Sequence, residues 1–407
     1  MKILLVAQNY LPFVGGVEIH ARQISRSFRD LGHEVAIVAA NFAPYRGTRR
    51  LGVLHESLLA PYVADHEDDG IPVSTLCPRS AWDRMRLAPV ALRAVPVINR
   101  DFARVQRAAY PFFRAVHWKR ALSLCGGVDV VHSLANGFLG WLFREAAHAC
   151  GKPFVNTPFI HPGQWGDAAA DVEHYRLCDA VIGLVETDSR TIASLGVCKS
   201  KVHTIGVSPD LPARFDPVGF RQRHGLGDDP IVLYVGRMMR QKGAYALVEA
   251  MGAVWESAPA TRFVFIGPGS PEEIAIFEGL DPRARYLGKV SAQEKGDALA
   301  ACTVFCMPSM SEILPTVYLE AWSLGKPVVG GLAHGLPELI EGNGAGLAVE
   351  ASGAAVASAL SRLLLEPKTA KDFGVGGKAL VETHYSVQAV TEQLLRCYES
   401  VSERRTA

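Results

Sequence analysis

Short apolar runs alternate with amphipathic stretches along almost the whole chain. In the first half, "KILLVAQ", "HEVAIVAA", "VDVVHS", "PFVNTPF" and "DAVIGLV" are too short for helices and too continuously apolar for strands with one wet face. Between the first two runs, residues 17–31 carry helical periodicity, and Gly32 stands where a helix should stop before the next strand. Strands buried on both faces and separated by helices predict a parallel sheet covered by helices, the doubly wound α/β arrangement. After residue 229 the same grammar returns in "PIVLYVGR", "RFVFIGPGS", "ARYLGKV", "TVFCMPS", "KPVVGG" and "AGLAVE".

Two such series predict two Rossmann-like domains in tandem, which suits 407 residues better than one core does. The intervening stretch 208–229, "SPDLPARFDPVGFRQRHGLGDD", is rich in Pro, Gly and charge and reads as a linker. The predicted division is therefore 1–207, a linker 208–229, a second domain 230–380, and a terminal helix 381–407 that could return to the first domain. Ligands of such sheets sit beyond the carboxyl ends of strands, so two facing domains imply one interdomain cleft.

Composition narrows the class. With 49% hydrophobic and 20% charged residues and a net charge of +1, the chain reads as globular, with no global attraction to nucleic acid. Its eight cysteines form no CxxC pair and no zinc-ligand spacing, and Cys302 and Cys306 in "ACTVFCMP" read as buried thiols. The opening "MKILLVAQNY" is too short for the apolar region of a signal peptide, and no run reaches ~18 apolar residues, so a cytoplasmic protein is expected.

The loops after strands carry the candidate chemistry. Gly15 and Gly16 precede a helix and would bring backbone amides close to an anion; they are not part of a GxGxxG dinucleotide fingerprint. In "VLYVGRMMRQKGAYALVEAM", Arg237 follows a strand and Lys242 precedes a helix, with Gly236 and Gly243 keeping the backbone near. Two such cations would neutralise a diphosphate, with Arg240 competing with Lys242 for the second position. His161 lies just past "PFVNTPF", placed to hydrogen-bond a substrate or to serve the fold.

"SEILPTVYLEAWSLGKPVVGG" holds Glu312 and Glu320 in an apolar run. Ser311 is the predicted cap of a helix containing Pro315 and ending at Gly325. Eight residues of helix rise ~12 Å, comparable to the span between the two ends of a nucleotide-sugar. Carboxylates at both ends could accept bonds from sugar hydroxyls, with helical amides such as those of Thr316 and Val317 facing the diphosphate.

Together these loops resemble the retaining glycosyltransferases of family 4, which have the GT-B fold. The resemblance runs through "GGVEIHARQISRSFRDLGHEVAIVAA", "PFIHPG", "KVHTIGVSPD", "IVLYVGRMMRQKG", "FVFIGPGS", "ARYLGKVS" and "MPSMSEILPTVYLEAWSLGKPVVGG". By that resemblance Glu312 and Glu320 occupy the E-x7-E motif, the first on the donor sugar and the second on the ribose. Arg237 and Lys242 match the pair that neutralises the leaving diphosphate, and Gly16 the loop over it. Lys289 and Val290 fall where the base is contacted, and His161 matches the amino-domain active-site histidine. Ile313 stands where the family commonly has glycine, and "TIGVSPD" where it commonly has "PNGVD".

The implied reaction transfers a sugar from a nucleotide-diphosphate sugar, UDP before GDP, to a glycan, lipid-linked or small-molecule acceptor with retention. It needs no cofactor, and no DxD follows a strand, so no metal is expected. A non-catalytic nucleotide-sugar binder and a sugar-nucleotide epimerase stay open as alternatives. Finally, residues 79–120 hold ten cations against two carboxylates, interleaved with aromatics, a pattern that fits either anionic membrane or solvated helices.

Overall fold

A computed structural model of the chain describes residues 1–13, 15–40, 63–91, 102–163 and 165–406. They divide into two compact units, the first made of Met1–Ile205 and Val390–Ala407, the second of Gly206–Ala389.

The first unit is built on strands β1 (Lys2–Ala7), β2 (Glu34–Ala39), β3 (His66–Asp68), β4 (Ile71–Thr75), β5 (Val130–Ser133), β6 (Phe154–Asn156), β7 (Ala180–Gly183) and β8 (Val202–Thr204). They form one sheet in the order β3-β4-β2-β1-β5-β6-β7-β8. All its pairings are parallel except β3 with β4. The continuous apolar run of β1 serves two layers at once. Ile3 and Leu5 join a core with Ile24 and Phe28 of the helix Gly16–Asp30, whereas Leu4 and Val6 face Leu142 and Phe143 of the helix Gly137–Ala149.

The antiparallel edge hairpin is a correction to the expectation of a wholly parallel sheet. Its strand β3 reads "HED", too polar to announce itself, and ends on Asp68. This residue is buried, accepts from Tyr10 Oη at 2.8 Å and pairs with Arg22 and Arg26 of the first helix. These partners hold its carboxyl below the ordinary range even though burial opposes them.

The last helix, Val387–Thr406, sends Val390, Leu394, Cys397, Tyr398 and Val401 into the same core as Ile3 and Leu5. Tyr398 Oη lies 2.6 Å from Nδ1 of the buried His132 on β5. The C-terminal residues are thus structural members of the first unit.

The second unit carries β9 (Ile231–Val235), β10 (Arg262–Ile266), β11 (Ala284–Tyr286), β12 (Val304–Met307), β13 (Val328–Gly331) and β14 (Gly346–Val349). Their order is β11-β10-β9-β12-β13-β14, parallel throughout. Residues 208–229 do not form a free linker. Asp216 caps the helix Pro217–Arg223, which packs on the helix Ala292–Ala301 inside this unit. Arg223 ties the pair by reaching Glu294 and Asp297.

Candidate active site

The end of β9 is shaped by a buried phenol and a left-handed glycine. Tyr234 Oη donates to the carbonyl of Arg237 at 2.6 Å, fixing the backbone as it leaves the strand. A single 3-10 turn, Arg240–Lys242, follows and ends on Gly243 at φ 82°, from which the helix Ala244–Ser257 starts. A Cβ at Gly243 would enter the backbone carbonyl of Pro308, so both the dihedral and the close approach demand glycine.

This turn sends the two competing cations to different places. Arg240 lies over the Tyr245 ring at 4.5 Å and 3.9 Å from Glu249, on the exposed side. Lys242 turns inward: its Nζ donates to the Ser311 carbonyl at 2.9 Å and to Glu312 Oε1 at 2.5 Å. The loops are stitched further by Met310 N to Gln241 O at 2.8 Å and by Ser309 Oγ to the same carbonyl. Lys242 and Glu312, 70 residues apart in sequence, therefore form one pair at the ends of β9 and β12. Arg237 is exposed beside Gly236 in the same loop.

Ser311 does not cap the helix that follows. The helix is Thr316–Ser323, its N-cap is Pro315, and no side chain caps it. The residue before a proline is pushed out of the helical region, so the chain cannot coil until Pro315 is passed. The amides of Thr316 and Val317 consequently have no acceptor among the described residues. Glu312 stays in the loop and Glu320 in the helix, and fewer of the steps between them are helical than the spacing suggested. Ile313 and Leu314 between them are buried.

Both glutamates are carboxyls set in mostly buried surroundings and paired with a lysine. Glu312 is 18% exposed at its side chain and Glu320 only 3%. Burial pushes both carboxyls up, opposed by Lys242 in one case and by Lys295 in the other. Lys295, on the helix Ala292–Ala301, reaches Glu320 Oε1 at 2.7 Å, while Glu320 Oε2 is buried without a partner among the described residues. Lys295 escaped the sequence reading. The available signal was its place four residues before Leu299, on the buried side of its helix.

Lys289 and Val290 lie in the loop after β11, exposed and half-buried respectively. That loop is joined to the one after β10 by Gly267 N to Gly288 O at 2.8 Å. In the first unit, Gly15 is the N-cap of the helix Gly16–Asp30, and Gly16 is its first residue with open space around its Cα. His161 follows β6 in a two-way backbone bridge with Trp165, the rings 3.8 Å apart between centroids. In the second unit Lys242 and Glu312 meet at the ends of β9 and β12 with Arg237 in the loop after β9, and Glu320 is held separately by Lys295, whereas His161, Gly15 and Gly16 belong to loops of the first.

Residues 14–208 match the family described as Glycosyltransferase Family 4, and residues 229–366 match Glycosyl transferases group 1. The chain belongs to glycosyltransferase family 4, with the GT-B pair of Rossmann-like units. It is 31% identical over 189 residues to the GDP-mannose-dependent alpha-(1-6)-phosphatidylinositol monomannoside mannosyltransferase of Mycolicibacterium smegmatis, covering 44% of this chain and 49% of that protein. It is also 31% identical over 345 residues to the sulfoquinovosyl transferase of Arabidopsis thaliana, covering 83% of this chain and 60% of that protein. The matches to these curated relatives therefore span about half to three-fifths of their length. A crystal structure of Anabaena HepE in complex with UDP superposes with a TM-score of 0.70 at 17% identity, covering 98% of this chain and all of that one.

Proposed function

We propose that this protein transfers a sugar from a nucleoside-diphosphate sugar to an acceptor hydroxyl, with retention at the anomeric carbon. The observation that carries the reading is the Lys242–Glu312 pair at 2.5 Å, with Arg237 in the same loop as Lys242 and the uncapped amides of Thr316 and Val317 four and five residues past Glu312. Cleavage of the donor gathers negative charge on the β-phosphate and positive character on the sugar. Fixed cations and helix amides stabilise that separation more than they stabilise the intact donor. In this reading Arg237 and Lys242 hold the leaving diphosphate, Gly15 and Gly16 approach it, and Glu312 orients the sugar hydroxyls. Glu320 takes the ribose, Lys289 and Val290 meet the base through backbone groups, and His161 positions the transferred sugar. The leaving phosphate oxygen takes the acceptor proton on the face it vacates, so no second carboxylate is required as nucleophile.

UDP-sugar is put first because a protein of this fold holds UDP, and GDP-sugar second because the mycobacterial relative is named for GDP-mannose. A thermal-shift screen against both donor classes discriminates them, because a ligand that binds only the folded state at 100 times its Kd adds about 2.7 kcal/mol. Release of nucleoside diphosphate only when acceptor is present is the expected result. Binding with no turnover across glycan, lipid-linked and small-molecule acceptors would favour the non-catalytic alternative.

Residues 79–120 carry the proposed contact with an anionic membrane. Trp82, Met85 and Phe112 are 71%, 63% and 44% exposed among the cations. The fold also brings Glu173, Glu145 and Asp65 onto Arg107, Arg114 and Arg120, which offsets the charge counted along the sequence. Arg93, Arg100 and Asp101 lie outside the described residues. Among the described residues no helix is long and apolar enough to cross a membrane. Flotation with phosphatidylserine vesicles at low salt, lost at 0.5 M salt, is expected; equal flotation with neutral vesicles would end this reading.

A further inference from the structure

The geometry points to Lys295 as the residue that positions Glu320 for its ligand, with the chain segment 210–216 acting as the brace that fixes Lys295. Lys295 Nζ donates at once to Glu320 Oε1 at 2.7 Å and to the backbone carbonyl of Asp210 at 3.3 Å. Lys295 therefore holds the carboxylate by one oxygen, and the Asp210 backbone also favours its charged form. Oε2, buried and without a partner among the described residues, is the one that can accept from a ligand. A buried acceptor left unsatisfied costs free energy that a ligand hydroxyl recovers on binding. The ammonium also opposes the upward push of burial on this carboxyl, and a charged acceptor takes the stronger hydrogen bond.

The brace is spread along one helix. From Ala292–Ala301, Gln293 Nε2 donates to the Arg214 carbonyl at 2.9 Å, and Asp297 Oδ1 accepts from the Asp216 amide at 2.8 Å. Gly296 leaves room for the Pro212 ring, which any side chain at that position would strike. The Asp210 carbonyl is thereby fixed, and with it the second anchor of the lysine. This network begins four residues after the start of the second unit at Gly206.

The inference rests on the donor reading above, in which the hydroxyls that reach Glu320 are those of a ribose. The test compares UDP with 2′-deoxy-UDP, and GDP with 2′-deoxy-GDP, by calorimetry on the full chain. The unaltered protein is expected to favour the ribonucleotide by roughly tenfold, the worth of about 1.4 kcal/mol. K295M is expected to bring that preference to within twofold and to raise the donor KM about tenfold with kcat changed less than threefold. K295R is expected to retain most of the preference. A structural role alone would weaken ribo and deoxy forms alike. Should K295M fail to fold, K295Q serves, with the preference expected to fall at least fivefold. A folded K295M or K295Q that keeps the full preference overturns the inference and leaves the donor reading standing, whereas an unaltered protein that binds none of the four nucleotides overturns both.

Discussion

Replacing Lys242 by alanine is expected to lower kcat/KM for the nucleotide-sugar by roughly 10²–10³-fold, the usual cost of removing one preorganised group aimed at developing negative charge. The loss arises twice over. The cation that would face the leaving diphosphate disappears, and Glu312, deprived of the partner 2.5 Å away, becomes a buried carboxyl that burial alone pushes toward its neutral form. Because the two side chains act as one unit, the K242A/E312A double variant should lose little more than either single variant. Arg240→Ala, whose guanidinium lies over Tyr245, should keep most of the activity. Unchanged turnover in a K242A protein with native circular dichroism would sink the assignment.

Gly243→Val should strike stability rather than chemistry alone. Valine would have to adopt φ 82°, at about 1–3 kcal/mol, and its Cβ would press on the Pro308 backbone, adding about 1–3 kcal/mol of overpacking. A total near 3 kcal/mol in a unit of this size lowers Tm by roughly 6–12 °C. Gly227→Ala isolates the dihedral contribution, since Gly227 has φ 54° but open space around it. If G243V melts no lower than G227A, the contact with Pro308 carries no strain and the turn holding Lys242 is softer than its geometry implies.

Much of this site could be read in the sequence because the strands of a doubly wound sheet are bare apolar runs, and each loop that follows one is a place to look for chemistry. Glu312 and Glu320 were legible for a related reason: carboxylates inside an apolar run imply partners. Which partners those are was not legible. Lys242 is 70 residues from Glu312, and Lys295 is 25 residues from Glu320 in another helix, so neither pairing has a local signature. The hairpin β3–β4 was hidden by polar residues whose partners, Tyr10 and Arg22, come from far along the chain. The Ser311 cap failed because Pro315 restricts the residue before it, a local rule that outranked the capping preference.

The terminal helix has a consequence for biosynthesis. Val390, Leu394, Tyr398 and Val401 fill the core of the first unit, yet they are made only after all 184 residues of Gly206–Ala389 have been translated. As the nascent chain grows, the second unit can close on contiguous sequence while the earlier one still lacks a wall and has an apolar trough open to water. The unit begun first is thus the one finished last. A ribosome that stops short of Val390 leaves a complete second unit attached to a first unit with its core exposed.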